Sequence, residues 1–169
     1  MRFESSWPAN RYDEGIVDPA NPLDYIIREA VHLRPGTLIV RDLHRRRHPS
    51  DTLTAFFHLG PFNTPQNVRS GVYKLGTLNV STFYPADVTV TFSDDKDAGS
   101  NRVGTLMQLA FAAGNTQPMD IVTVFSETLT ATSYAAGVLT LSDGTRVTFA
   151  NGTVDVAGAA PPRRRAARH

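Results

Sequence analysis

The chain has 169 residues, the size of one domain with a single hydrophobic core, and a formal net charge of +1. Eight of its basic residues are arginines in two short clusters, so the rest of the chain is acidic. A general nucleic-acid-binding surface is disfavoured, because such a surface would have basic residues spread over a whole face. No cysteine is present, which excludes disulfides, cysteine-ligated metals and thiol catalysis.

An extended N-terminal segment is predicted over residues 1–24. Proline, asparagine and aspartate are frequent there, and the period of neither a strand nor a helix is sustained. The segment lacks the apolar stretch of a signal peptide, and no other part of the chain approaches the roughly 20 apolar residues of a membrane-spanning helix. We therefore expect no contact with a membrane and no export signal in this chain.

A β-hairpin is predicted over residues 25–43. The runs on both sides of Pro35-Gly36 are rich in apolar and β-branched residues, and proline followed by glycine suits the centre of a tight turn. A helix over residues 25–33 is the alternative, which Pro35 would end after about two and a half turns. The next segment, 44–50, is rich in arginine and histidine and predicts a charged loop.

Short strands are predicted along the chain as far as residue 156. Several runs alternate apolar and polar residues, which is the period of a strand, and Asp143-Gly144 marks a hairpin between two of them. The predicted strands are 52–59, 72–75, 77–83, 87–92, 103–112, 120–127, 137–141 and 145–149. About ten short strands without an amphipathic helix predict an all-β fold, an antiparallel β-sandwich over residues 25–156.

The end of the chain, residues 157–169, is biased toward alanine, proline and arginine. This composition offers little apolar surface to bury, so a flexible or extended tail is predicted. Its arginines either bind a polyanion or keep the chain soluble, and the sequence leaves both roles open.

One stretch of the chain resembles a known domain. In order, it has a strand that carries Arg28, a turn that contains Pro35, a strand closing on Val40-Arg41-Asp42, a charged loop, and the run Phe56-Phe57-His58-Leu59-Gly60. This succession is similar to that in the C-terminal β-sandwich domain of heparinase II/III-like polysaccharide lyases. The resemblance spans roughly residues 20–155, and its motifs are short and mostly structural.

The resemblance implies a sandwich that is one part of a larger enzyme. In these lyases the substrate cleft lies between an α/α toroid and the sandwich, and much of the catalytic apparatus comes from the toroid. The sequence predicts no helical segment of that size. A lone sandwich would line the cleft without completing the β-elimination, which needs a base, an acid and a group that neutralises a uronate carboxylate. The resemblance also implies a secreted or periplasmic location.

The candidates for contacts with an acidic substrate are basic residues. Arg28 either pairs with a substrate carboxylate through its planar guanidinium or forms an ion pair with Asp24, Glu29 or Asp42 of the chain itself. The run Arg45-Arg46-Arg47 either attracts an acidic polysaccharide or is an ordinary solvated loop.

Asp42 and His58 are the candidates for a structural metal site. Some members of the resembling family carry a divalent metal in the sandwich with aspartate and histidine ligands, so the resemblance implies this pair. Zinc takes four ligands, or three and a water, and two residues do not complete such a site. The alternatives for His58 are a cleft-lining substrate contact and a hydrogen-bonded structural histidine. No other cofactor is expected.

We expect an accessory or fragmentary carbohydrate-active domain that binds acidic polysaccharide and is inactive alone. Its partners are then the polysaccharide or a separate catalytic domain. The alternative is a structural or assembly subunit, of a filament or associated with a capsid, because one sandwich fold hosts many functions. Exposed edge strands and the terminal segments would then support self-assembly by strand addition.

Overall fold

A computed structural model of the chain describes residues 2–3, 23–50, 53–60, 64–85, 88–96, 99, 101–112, 114, 116–150 and 153–158. Within these ranges there are fourteen strands, every strand pair is antiparallel, and no helix is long and apolar enough to cross a membrane. Most of the predicted N-terminal segment and nearly all of the predicted tail lie outside the described residues.

The strands cover most of the described chain and confirm the predicted all-β antiparallel sandwich. They are β1 (Arg2–Phe3), β2 (Leu23–Leu33), β3 (Thr37–Arg46), β4 (Leu53–Leu59), β5 (Gln66–Arg69), β6 (Val72–Leu75), β7 (Leu78–Phe83), β8 (Val88–Lys96), β9 (Arg102–Phe111), β10 (Met119–Ser126), β11 (Ala131–Ala135), β12 (Val138–Leu141), β13 (Arg146–Ala150) and β14 (Thr153–Ala157). The strands β1, β5, β11 and β14 have no counterpart in the prediction.

The sandwich has three layers. A central seven-stranded sheet has the order β1-β2-β3-β10-β7-β6-β5, a three-stranded sheet has the order β4-β9-β8, and a four-stranded sheet has the order β11-β12-β13-β14. Strand β10 explains the layering, since it is apolar on both faces. Ile121 and Phe125 belong to one hydrophobic core, and Val122 and Val124 belong to the other.

Each outer sheet packs on one face of the central sheet through its own core. The core under the three-stranded sheet contains Val40, Leu75, Val80, Val88, Met107, Leu109, Phe111, Met119, Ile121 and Phe125. The core under the four-stranded sheet contains Ile39, Val122, Val124, Ala131, Leu139, Leu141, Val147 and Phe149. Consecutive residues of β3 and β10 therefore face different layers, which decides where each polar side chain of those strands lies.

The predicted hairpin is confirmed, but the predicted charged loop is partly wrong. Strand β2 pairs with β3 across a turn at Pro35-Gly36, where Gly36 has a φ of +70°. Strand β3 then continues to Arg46 through residues assigned to the loop, and both His44 and Arg46 are buried. Alternation along β3 turns these side chains toward the interior, and burial of charged side chains there was not evident from composition.

Candidate functional site

Three consecutive arginines and the segment before β10 enclose a pocket of about 330 Å³. The residues that line this basic pocket are Asp24, Arg45, Arg46, Arg47, Thr116, Gln117 and Pro118. It lies at the end of the central sheet where β3 ends and β10 begins, because Arg46 pairs with Leu23 and His44 pairs with Met119. Three arginines and one carboxylate are among its described lining residues, so the pocket favours an anion.

The arginines of the basic pocket differ in their exposure to solvent. The Arg45 Nε lies 3.0 Å from the Asp24 Oδ2, and the two side chains are 49% and 39% exposed. Arg46 is 1% exposed and donates a hydrogen bond from its Nη1 to the backbone oxygen of Ala112. Arg47 is partly exposed. The cations of the pocket that an anion could contact directly are therefore Arg45 and Arg47, and Arg46 adds its charge from the interior.

Arg28 forms a bidentate ion pair with Asp42 in the layer beneath the three-stranded sheet. The Arg28 Nε and Nη2 donate to the two carboxylate oxygens at 2.6 and 2.9 Å. The hydrogen bond to Asp42 raises the pKa of Arg28, although burial acts in the opposite direction. Its guanidinium also lies 5.1 Å from the centre of the Phe57 ring. The ion pair is thus present, and a contact between Arg28 and substrate stays a prediction.

Asp42 and His58 do not come together. Asp42 is 3% exposed and paired with Arg28, whereas the His58 side chain is 69% exposed and its Nδ1 lies 2.8 Å from the Asp95 Oδ2. Phe57 packs against the core, and adjacent side chains of a strand point to opposite faces, so His58 lies on the outer face of the three-stranded sheet. The described residues contain no group of three or more potential metal ligands. This placement does not support a metal shared by the pair.

His44 is a buried residue that sequence reasoning missed. Its ring lies edge-on against Phe111 at 4.7 Å, and its Nε2 has no hydrogen-bond partner among the described residues. Burial lowers its pKa to about 4, helped by the nearby Arg46 and opposed by Asp42. The alternation of Val40, Asp42, His44 and Arg46 was the signal for its inward orientation.

The buried imidazole of His44 makes folding stability depend on pH. Because its pKa in the folded protein is about 4 against an ordinary 6.5, the unfolded chain takes up the proton first. The stability contributed by neutral His44 is present above pH 6.5 and is lost as the pH falls to 4. We expect wild type to lose ~3 kcal/mol more than His44→Leu over this range in urea unfolding.

A matched control for this effect is His32→Gln, since His32 is exposed at the end of β2. This variant should follow the wild-type curve of unfolding free energy against pH. Parallel curves for wild type and His44→Leu would show that the His44 imidazole does not oppose folding in acid.

Arg41 organises a second polar network, beneath the four-stranded sheet. Its Nε and Nη2 donate to Asp120 at 2.9 and 2.8 Å, its Nη1 donates to Glu29 at 3.0 Å, and its guanidinium lies 5.3 Å from the centre of the Phe149 ring. The hydrogen bond to Asp120 is the main cause that raises the pKa of Arg41. The Tyr134 hydroxyl donates a hydrogen bond to Asp120 at 2.6 Å. The pKa of Tyr134 is raised, first by burial and then by this hydrogen bond.

Comparison with protein-family models and with curated proteins identifies no relative of this chain. The sequence matches no protein-family model, and it has no significant match among curated proteins. The likeness to the lyase sandwich therefore stays a prediction from short motifs, and the basic pocket must be interpreted from its own chemistry.

Proposed function

We propose that this chain is an accessory carbohydrate-binding domain that holds an acidic polysaccharide at the basic pocket. The observation that carries the proposal is the pocket itself, in which Arg45, Arg46 and Arg47 meet at one end of the central sheet. Guanidinium groups bind carboxylates and sulfates through two parallel hydrogen bonds, and they stay charged at every physiological pH. Uronates and sulfated sugars carry these groups.

The size of the basic pocket supports one acidic group rather than a long stretch of polyanion. Its volume of about 330 Å³ is near the lower end of the range of small-ligand pockets, about 300–1,000 Å³. Outside the two arginine clusters the chain is acidic, so a nucleic acid lying across the surface would meet repulsion. A polysaccharide with separated charges fits such a surface better.

The lining of the basic pocket favours binding over turnover. A β-elimination requires a base within hydrogen-bond reach of the substrate proton and an acid for the leaving oxygen. Among the described residues of the lining, Asp24 is the only carboxylate and is paired with Arg45, and there is no tyrosine or histidine. The proposal is consistent with a domain that positions a polysaccharide for catalytic groups located elsewhere.

A second candidate function, assembly, is favoured by one edge of the central sheet. Strand β5 ends the sheet, all four of its residues are exposed, and Val68 is 61% exposed. An unprotected edge offers backbone hydrogen-bonding groups to a strand of another chain. Light scattering separates the two functions, because a monomer that binds saccharide supports the first and large regular particles support the second.

The double variant Arg45→Gln/Arg47→Gln is expected to weaken acidic-saccharide binding about 100-fold. Each lost charge-assisted contact is worth about 1.4 kcal/mol or more, which is tenfold in affinity. The measurement is isothermal titration calorimetry with alginate, heparin and hyaluronan octasaccharides. Arg46 is left intact because its guanidinium is buried.

The matched control is Arg146→Gln, an exposed arginine on β13 outside the basic pocket. It should bind like wild type, and the same incubations should release no unsaturated product by absorbance. An equal loss in Arg146→Gln, or no binding of any of the three octasaccharides by wild type, would contradict the proposal. Release of unsaturated product would contradict the accessory role.

A further inference from the structure

A second and larger cavity, of about 490 Å³, lies where the central and four-stranded sheets meet. Strand β7 ends there, β10 begins there, and β11 forms the opposite wall. We call it the Asp120 groove, and its polar and aromatic lining includes Arg69, Thr82, Tyr84, Asp120, Thr132 and Tyr134. Pockets that combine aromatic walls with a few fixed polar groups are typical ligand sites.

Asp120 is held in a fixed position in this groove. Its carboxylate accepts three hydrogen bonds, two from Arg41 and one from Tyr134, at 2.9, 2.8 and 2.6 Å. Arg41 is in turn held by Glu29. The Asp120 side chain is nevertheless 32% exposed, and an ionised carboxylate has room for about four hydrogen bonds. Among the described residues three bonds are made, so one acceptor position remains for a ligand, and little entropy is lost because the carboxylate is already ordered.

The charges around the Asp120 groove select the class of ligand. The charged residues in the described lining are one carboxylate, Asp120, and one guanidinium, Arg69, so the lining has no net formal charge. Exposed Arg69 of β5 lies beside β11, with its Nη2 3.5 Å from the backbone oxygen of Ala131. A ligand carboxylate would be repelled by Asp120, and a ligand cation would be repelled by Arg69. A hydroxyl group suits both, because it donates to a carboxylate and accepts from a guanidinium.

We propose that the Asp120 groove binds an uncharged, hydroxyl-bearing sugar unit, as a site separate from the basic pocket. That the ligand is a saccharide rests on the proposed function, whereas its lack of charge follows from the groove. The two sites are neighbours, since Pro118 lines the basic pocket and Asp120 lines the groove. Two residues of extended chain span ~7 Å, so one polysaccharide can reach both sites.

The test maps backbone amide shifts of the isotope-labelled chain as neutral cellohexaose, mannohexaose or maltohexaose is added. At least one hexaose should shift amides at residues 69–72, 82–84 and 131–134. Arg69→Ala should weaken that hexaose about fivefold, the effect of one hydrogen bond, and Tyr134→Phe should weaken it by a similar factor because Asp120 loses a bond that holds it in place. Arg69 is exposed and makes one long hydrogen bond, of 3.5 Å, to the backbone oxygen of Ala131, so Arg69→Ala remains informative even if a change at Tyr134 disturbs the fold.

The matched control is Arg146→Gln, an exposed arginine in the lining of neither site, which should leave neutral-hexaose binding unchanged. No shift in the groove with any of the three hexaoses, or equal affinity in wild type and Arg69→Ala, would overturn the inference. Failure of the proposed function has a different signature. Acidic octasaccharides would then not bind at residues 45–47, while neutral hexaoses would still shift the groove.

Discussion

Replacing Arg41 with methionine is expected to lower the free energy of unfolding by about 3–5 kcal/mol. Arg41 is the cation between Glu29, whose side chain is 6% exposed, and Asp120. Methionine keeps most of the aliphatic volume and removes the charge, so both carboxylates lose their ion pair and Glu29 is left in a buried place. The cost comes from removing the cation beside two carboxylates, one of them buried, and urea unfolding followed by circular dichroism measures it.

Two further variants test this explanation. Arg45→Met makes the same substitution in an exposed ion pair, with Asp24, and should cost less than about 1 kcal/mol. Adding Glu29→Gln to Arg41→Met should recover part of the loss, because it removes one buried charge. If Arg41→Met and Arg45→Met cost the same, the ion pairs of Arg41 with Glu29 and Asp120 do not account for the cost.

Replacing Leu139 with alanine is expected to cost about 2–5 kcal/mol of unfolding free energy. Leu139 is 0% exposed in the core between the central and four-stranded sheets. The truncation removes buried methyl groups and leaves a cavity that β12 cannot close without disturbing its pairing with β11 and β13. Met107→Ala makes a similar truncation in the other core and should give a cost in the same range.

The control for the core substitutions is Val156→Ala, since Val156 on the edge strand β14 is 43% exposed. Its cost should stay within about 0.5 kcal/mol. If Leu139→Ala were equally mild while Met107→Ala destabilised strongly, the four-stranded sheet would not be an integral layer of the sandwich.

Local patterns predicted much of the fold. Proline and glycine located the first hairpin, and Asp143-Gly144 located the turn between β12 and β13, because these residues favour specific backbone angles. The strands β5 and β11 were missed because both are short and mostly polar or exposed, so they carry little hydrophobic period. Their places depend on pairing with neighbours that lie elsewhere in the chain.

The sequence of β10 already indicated that the central sheet is covered on both faces, although the prediction described only a sandwich. Strand β10 is a nearly continuous apolar run, as expected for a strand covered on both faces, whereas a two-layered sandwich gives alternation. The end of β3 was misjudged for the opposite reason. Its charged composition indicated a loop, although the inward positions of His44 and Arg46 continue the alternation of the strand.

Some residues of the candidate sites were predictable from the sequence and others were not. The Arg45-Arg46-Arg47 run was visible as a local cluster, and the Arg28–Asp42 pair was among the alternatives. The Arg41–Asp120 pair joins residues 79 positions apart, which no local pattern indicates. His58 suggested a partnership with Asp42 by family resemblance, but the alternation of β4 places it beside Asp95.

The most direct test of acidic-saccharide binding is a map of backbone amide shifts on adding an alginate, heparin or hyaluronan octasaccharide to the wild-type chain. The proposed function predicts that the largest shifts lie at residues 45–47 and 116–118, around the basic pocket. They should be lost in Arg45→Gln/Arg47→Gln. Saturable shifts centred on another surface, or no shifts with any of the three octasaccharides, would contradict it.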